Sequence, residues 1–433
     1  MTKSHSGHKI KQKISRDDLQ MRLFMGVIAL YLLVAVAFPL YAILSKSLDN
    51  REGAFVGLEN YIYYFSTPAL FISIYNSLFV AIFTTVVTVS LAFTFAFALT
   101  RSCMVGKGIF KTIAMIPILI PSLLAGIALV YLFGNQGIIK SVLFGHSIYG
   151  PIGIIIAETF YTFPHALLII MTAFSIADAR MYEAAISLRA SPLKIFFSVT
   201  LPGIRYGLIS AAFVVFTLVI TDFGIPKVIG GQFNVLAVDV FKQVVGQQNF
   251  QMGAVVSVVL LIPAMFAFAV DRFVQKKQIT LLSSRAVVFE PKKNIRFDSL
   301  MLLFCILVSI FIITILGMCQ FASLIKFWPY DMSFSFNHYQ FLISWRGIES
   351  YFNSIRLGLY TAFFGTIIIF CGAYLVEKGR GMIMGRNIFH FLAMMPMAIP
   401  GMTLGLAYIF FFNNPMNPLH FIYGSMAILV ICT

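Results

Sequence analysis

The sequence predicts an all-α transmembrane protein, a polytopic helical bundle, and three observations support this fold class. Of its 433 residues, 60% are hydrophobic and only 11% are charged, whereas a soluble domain is about one quarter charged. Long apolar runs recur along the chain, most of them near the roughly 20 residues that a membrane-spanning helix needs. The five cysteines have no paired spacing, so neither a disulfide framework nor a cysteine zinc site is expected.

Ten runs are apolar enough to be candidate spans, and they define the predicted architecture. Because the hydrocarbon layer contains no water, the backbone groups of each run must bond within their own segment, which favours helices over barrel strands. The tenth run is cut short by the end of the sequence. The predicted spans are 23–45, 72–99, 112–133, 150–174, 206–222, 252–270, 299–319, 353–376, 388–412 and 419–433.

The basic residues predict how these spans are oriented. If the N-terminus is cytoplasmic and the spans alternate, the inner segments hold 23 lysines and arginines and the outer segments hold seven. An excess of basic residues marks the cytoplasmic side of a membrane protein. The net charge of +15 is therefore explained by orientation, and no nucleic-acid partner is expected.

An internal repeat predicts how the spans are grouped. Residues 109–133 align without a gap on residues 388–412, and ten of the 25 positions are identical. The identities include Pro117, Pro121 and Gly126 in the first copy and Pro396, Pro400 and Gly405 in the second. Because these segments are the third and ninth predicted spans, both copies cross in the same direction, which indicates a parallel tandem repeat of six-span halves. Inverted-repeat carriers have the opposite arrangement.

The repeat divides the chain into four predicted parts. They are a cytoplasmic N-terminal segment at 1–22, a first half at 23–270, a cytoplasmic connector at 271–298 and an incomplete second half at 299–433.

The segment 181–207, between the fourth and fifth spans, is predicted to be a cytoplasmic docking element. A Glu-Ala-Ala sequence at 183–185 starts a short helical stretch. The Ser-Pro pair at 191–192 is typical of a helix N-cap followed by proline at the first helical position. The Leu-Pro pair at 201–202 is predicted to end this second stretch. The alternative is an amphipathic loop that lies on the membrane surface without a partner.

This segment resembles the EAA loop of binding-protein-dependent ABC importer permeases. In that family Glu-Ala-Ala is followed after three residues by Gly-Ala and, about ten residues later, by Leu-Pro. The corresponding residues here are Glu183, Ala184, Ala185, Arg189, Ala190, Leu201 and Pro202. The resemblance implies that the loop fits a cleft in a cytoplasmic ATPase subunit. Arg189 stands where the family has glycine, so a positive φ there would cost about 1 kcal/mol.

The resemblance also implies the function and the partners. The chain would be the permease subunit of an importer in the bacterial inner membrane, working in the lipid bilayer with a cytoplasmic ABC ATPase dimer and a periplasmic solute-binding protein. The sequence has no G-x-x-x-x-G-K-[ST] phosphate loop and no hydrolase motif. We therefore expect no enzyme activity, no metal site and no bound cofactor, with ATP used by the partner subunit.

Two tandem halves in one chain resemble a fused subfamily that includes 2-aminoethylphosphonate and ferric-iron permeases. Residues 221–231 and 244–254 are most similar to the former. The predicted solute is therefore 2-aminoethylphosphonate, with ferric iron and then polyamines as the alternatives. The repeat offset of 279 places the second coupling loop beyond Thr433, so a nonfunctional truncated permease is another possibility.

Three ionisable residues in or beside the spans are candidates for the translocation path. Glu158 lies about 12 Å into the fourth span at 1.5 Å per residue, and His165 falls on much the same helical face. Such groups usually face a cavity or a partner in the membrane, although a structural hydrogen bond is the alternative. Asp222, at the outer end of the fifth span, contacts solute or binding protein, or is a solvated helix end. An ion-coupled carrier that uses these three residues is the alternative from another class.

Overall fold

The computed structural model describes residues 16–280, 287, 289–342, 345–379 and 383–433. Most of the predicted segment 1–22 and part of the connector lie outside the described residues. The chain divides into two compact units, of which the first comprises Met1–Ala42, Arg346–Met397 and Ala407–Thr433. The second unit comprises Ile43–Trp345 and Ala398–Leu406 and contains all the candidate site residues.

Helices make up most of the described chain. In order they are α1 (Arg16–Leu32), α2 (Phe38–Ser47), α3 (Glu59–Ser66), α4 (Pro68–Arg101), α5 (Lys107–Met115), α6 (Ser122–Phe133), α7 (Pro151–Ile176), α8 (Ala179–Ser187), α9 (Pro192–Ile195), α10 (Leu201–Thr221), α11 (Gly224–Ile229), α12 (Leu236–Phe241), α13 (Phe250–Thr280), α14 (Ile295–Ser323), α15 (Trp345–Lys378), α16 (Ile383–Met394), α17 (Gly401–Phe412) and α18 (Met426–Cys432). Single π turns join α1 to α2 and α9 to α10.

Seven helical segments among the described residues are long and apolar enough to cross a membrane. They are Asp18–Ser47, Pro68–Arg101, Pro151–Ile176, Pro192–Thr221, Phe250–Gln275, Ile295–Ser323 and Gly347–Lys378. The predicted third and ninth spans are not single helices, because each consists of two helices that meet at a bend of 104° or 112°. In the predicted tenth span, residues 419–433 form a 3-10 turn and the seven-residue α18, which lies at the end of the given sequence.

Proline causes the break in the third span. A 3-10 turn, Ile116–Leu119, follows α5, and Ile120 is then extended with φ −120° and ψ 135°. The ring of a proline disfavours the helical conformation in the residue before it, so the break falls just before Pro121. In the ninth span the 3-10 turn Met395–Ala398 precedes the break, and α17 begins directly after Pro400.

The core of the second unit is formed by α4, α7, α10 and α13, and α7 and α10 each pack against α4 and against one another. Alanines are fully buried along these contacts, among them Ala92, Ala157 and Ala211. Small residues allow the close helix packing that stabilises bundles in membranes. Phe95 and Phe163 fill part of the remaining space, with ring centroids 5.5 Å apart.

The first unit has its own smaller core. Met25 and Leu32 of α1 pack with Leu375 of α15 and Phe389 of α16. The Tyr408 hydroxyl donates a hydrogen bond of 2.7 Å to the carbonyl of Ala35, in the π turn after α1.

The segment after α14 corrects the all-α prediction. Strands β1 (Ile325–Phe327) and β2 (Asp331–Phe334) form an antiparallel hairpin in which Ile325 pairs with Phe334. Aromatic and β-branched residues favour strands, but three or four residues are too few to show a clear alternating pattern in the sequence. Within the predicted connector 271–298, α13 continues to Thr280 and α14 begins at Ile295.

Candidate functional site

The loop 181–207 lies at a surface of the second unit and begins with a capped helix. The side chain of Asp178 accepts a hydrogen bond of 3.1 Å from the Arg180 amide, which caps α8. One face of α8 is anchored, because Ala179 and Tyr182 are both only 6% exposed. Glu183 and Ala184 are exposed. Glu183 and Ala184 are therefore accessible on a helix that is anchored through Ala179 and Tyr182.

A left-handed residue closes this helix. Arg189 has φ +53°, and its amide donates a hydrogen bond of 2.9 Å to the Ile186 carbonyl. The next amide, of Ala190, donates a bond of 3.0 Å to the Ala185 carbonyl. This pair of bonds is a Schellman motif, which favours glycine at the left-handed position. The prediction about residue 189 depended on a positive φ at this position. Arg189 has that positive φ.

The second stretch begins as predicted and ends differently. Ser191 caps it by accepting a bond of 3.3 Å from the Lys194 amide, and Pro192 is the first helical residue. The prediction that Leu201-Pro202 ends the stretch is wrong, because the helix continues through a π turn at Phe196–Thr200 into α10. In this wider turn the Leu201 amide bonds to the Phe196 carbonyl. A π turn of this kind lets a helix continue past a proline, which has no N–H to donate.

Apolar side chains are exposed on the two short helices and on the turn between them. We call this set, together with Glu183 and Ala184, the docking surface. Its apolar members are Met181, Ile186, Leu188 and Leu193, whose exposed fractions range from 50% to 83%. Beside it, a cavity of about 290 Å³ lies between the start of α8 and the start of α10. A clustered apolar surface with a central acid is typical of a contact site for another macromolecule.

Replacing Arg189 with glycine should stabilise this turn. A left-handed non-glycine residue costs about 1–2 kcal/mol, so in Arg189→Gly we expect the amides of residues 185–190 to exchange hydrogen roughly fivefold more slowly. Ser187→Gly is the matched control, because this residue lies in the helix, where glycine is destabilising, and its exchange should become faster. Equal effects of the two substitutions would show that φ at residue 189 carries no cost.

A second group of polar residues lies inside the bundle. Glu158 of α7 is fully buried, and neither of its carboxylate oxygens has a hydrogen-bond partner among the described residues. The carboxyl group of Asp222 is its electrostatic neighbour. Asp222 accepts a bond of 2.7 Å from the Ser122 hydroxyl and one of 2.8 Å from the Ile225 amide. Asp222 is therefore a partly buried, hydrogen-bonded group and not a solvated helix end.

Sequence reasoning missed Ser122, and the place of His165 in the translocation path stays a prediction. Ser122 is the first residue of α6, after the proline break, and its bond to Asp222 spans 100 positions in sequence. No local sequence pattern identifies Asp222 as the partner of Ser122. The ring of His165 instead lies 5.8 Å from the ring of Tyr161 on its own helix. The structure thus brings together Glu158, Asp222 and Ser122, which we call the carboxyl cluster.

No group of three or more histidines, cysteines or acids in the described ranges is arranged to hold a metal ion. The carboxyl cluster contains two acids and one hydroxyl, so chemically it can attract a cation or exchange a proton. It lies where the bent pair α5–α6 approaches α7 and α10. Flexible backbone at a broken helix is tolerated in membranes where it is buried in protein or lines a cavity.

Comparison with known proteins is consistent with this arrangement. Residues 89–280 match the family model of the binding-protein-dependent transport system inner membrane component. A Haemophilus influenzae protein, named provisionally as a ferric transport system permease, is 27% identical over 361 residues, which cover 78% of this chain and 56% of the relative. The ferric transport system permease protein of Actinobacillus pleuropneumoniae is 26% identical over 383 residues, covering 82% of this chain and 53% of the relative.

The chain spans about half the length of these curated relatives. Among solved structures, a bacterial alginate ABC transporter in complex with an alginate pentasaccharide-bound periplasmic protein is similar with a TM-score of 0.48 and 14% identity, covering 63% of this chain and 98% of that chain. The family predicted from residues 181–207 is confirmed for the larger segment that contains them. Residues 89–280 are thus similar to the inner membrane component of binding-protein-dependent transport systems.

Proposed function

We propose that this permease moves a small solute, received from a periplasmic binding protein, through the bilayer while a separate cytoplasmic ATPase dimer drives its opening and closing. The observation that carries this proposal is the docking surface. It lies within the matched segment 89–280 and exposes Glu183, Ala184 and apolar neighbours on a capped helix that is anchored on its other face. The exposure of Leu188 and Leu193 supports contact of this loop with another macromolecule.

Ferric iron is the solute that we propose. The relatives that cover about four fifths of this chain are named for ferric transport. The carboxyl cluster supports the same choice, because carboxyl and hydroxyl oxygens are the ligands that hard cations prefer. The stretch 221–231 is the sequence feature that favoured 2-aminoethylphosphonate. That solute remains a prediction from resemblance.

We also propose that the two halves are a parallel duplication with a cytoplasmic N-terminus. The distribution of basic residues supports this orientation. Local structure recurs at the repeat offset, since the 3-10 turns Ile116–Leu119 and Met395–Ala398 precede the 12-residue helices α6 and α17. Gly145 and Gly424, which are also 279 positions apart, have φ values of +90° and +78°.

Uptake of radioactive ferric iron by cells that express the transporter tests this function. We expect uptake to stop when the ATPase subunit is deleted and to persist when the proton gradient is collapsed while ATP is maintained. The reverse result would show an ion-coupled carrier. An excess of 2-aminoethylphosphonate should leave iron uptake unchanged, and its own ATPase-dependent uptake would instead identify it as the solute.

A further inference from the structure

The connector between the two halves contacts the base of α8 through described residues on either side of position 288. The Ala179 amide donates a hydrogen bond of 3.0 Å to the Val287 carbonyl. In return, the Val287 amide donates one of 3.4 Å to the Asp178 carboxylate. The connector thus bonds to the residue that caps α8 and to the first residue of the helix.

Aromatic packing strengthens this contact. The ring of Phe289 lies 4.7 Å from the ring of Tyr182. The guanidinium group of Arg101, at the end of α4, lies 4.3 Å from the Phe289 ring centroid and 5.1 Å from that of Tyr182. It also lies 5.2 Å from the ring of Phe174, near the end of α7. One cation therefore joins three aromatic rings from α7, α8 and the connector.

The end of the connector is fixed to the end of α4 as well. The Cys103 amide donates a hydrogen bond of 2.7 Å to the Asp298 carboxylate, and the Cys103 thiol donates one of 3.2 Å to the Pro291 carbonyl. Asp298 lies in the first turn of α14, is only 8% exposed and also accepts a bond of 3.1 Å from the Asn294 amide. A charge-assisted bond to a nearly buried carboxylate is among the stronger kinds.

These contacts leave the docking surface open. They involve Ala179 and Tyr182, the two buried residues of α8, whereas Glu183 and Leu188 are exposed. The connector therefore contacts Ala179 and Tyr182 of α8 and does not cover Glu183 or Leu188. A flexible tether between two halves would need none of these contacts.

We propose that residue 287 and residues 289–298 act as a brace for the docking surface, with Phe289, Arg101 and Asp298 as positioning residues that transmit force between α8 and the first helix of the second half. The transmission of ATPase movement rests on the proposed function, whereas the bracing of α8 does not. A cation held by aromatic rings and a buried carboxylate bond resist displacement better than exposed contacts, since each is shielded from water.

Hydrogen exchange of the full-length protein in lipid nanodiscs tests the brace. In Phe289→Ala we expect the amides of residues 179–187 to exchange about tenfold faster, because two aromatic contacts are lost, while those of α13 remain unchanged. Val287→Ala is the matched control, since Val287 bonds through its backbone, and should exchange like the wild type. Phe289→Leu, which keeps apolar bulk, provides a milder second variant and should give an intermediate rate.

Unchanged hydrogen exchange at residues 179–187 in Phe289→Ala would overturn the brace. Uniformly faster exchange across all helices would also overturn it, because Phe289 would then be an ordinary packing residue. In the assembled importer, Phe289→Ala should retain the ATPase and hydrolyse several-fold more ATP per solute transported. A normal ratio alongside faster exchange overturns the transmission of force. The proposed function is tested separately, because it predicts loss of the ATPase on changing Glu183, where the brace is intact.

Discussion

Glu183→Lys should abolish stable attachment of the cytoplasmic ATPase. Glu183 is exposed on the same short helix as the apolar residues Met181 and Ile186 of the docking surface. A lysine there reverses the charge and must lose its hydration on docking. Changes of this kind in a buried interfacial pair cost about 2–5 kcal/mol, so we expect at least a tenfold loss of ATPase that copurifies with the permease.

Two controls separate attachment from folding and insertion. Glu377→Lys makes the same charge reversal at an exposed position near the end of α15, outside the docking surface, and should leave attachment unchanged. Single cysteines at Leu188 and Phe144, which are 83% and 91% exposed, should label from the cytoplasmic and the outer side, respectively, in both wild type and Glu183→Lys. Attachment that survives Glu183→Lys with normal labelling would contradict the role of the loop.

The parts of the loop that follow local rules could be predicted from sequence. The cap at Ser191 and the start of the helix at Pro192 depend on residues within one turn, and the structure has both. The positive φ at Arg189 could be suspected only because the family has glycine there. The continuation past Pro202 could not be predicted, because it depends on a π turn that is stabilised by packing of the Phe196 ring on Phe93 and Phe97.

Contacts between distant segments are what sequence could not supply. Hydrophobic periodicity identifies spans, but it does not say which faces meet. The bond between Ser122 and Asp222 spans 100 positions, and the bond from Cys103 to Asp298 spans 195. Arg101 and Phe289, which are in contact in the brace, are separated by a similar number of residues in the sequence. No local pattern in the sequence connects such pairs. Both the carboxyl cluster and the brace are therefore visible only in the folded chain.

Replacing the buried acid should separate transport from stability. Glu158 is fully buried without a hydrogen-bond partner among the described residues, and a buried polar group in that state is destabilising. In Glu158→Gln, which conserves the shape of the side chain, we therefore expect thermal stability in detergent to stay the same or rise slightly. If the carboxyl cluster attracts a cation on its way through the bundle, iron uptake should fall about tenfold in the same variant.

The other residues of the region provide a graded comparison. Ser122→Ala removes one hydrogen bond of Asp222 but no charge, and it should reduce uptake less than Glu158→Gln does. His165→Gln changes a residue on the same helix that lies beside Tyr161 and outside the cluster, so its uptake should stay near the wild-type rate. Normal uptake in Glu158→Gln, with a loss of stability, would make this acid a structural residue. Equal losses of iron uptake in Glu158→Gln and His165→Gln would instead indicate that the translocation path runs along the whole face of α7 that carries both residues. Uptake would then not depend specifically on the acid of the carboxyl cluster.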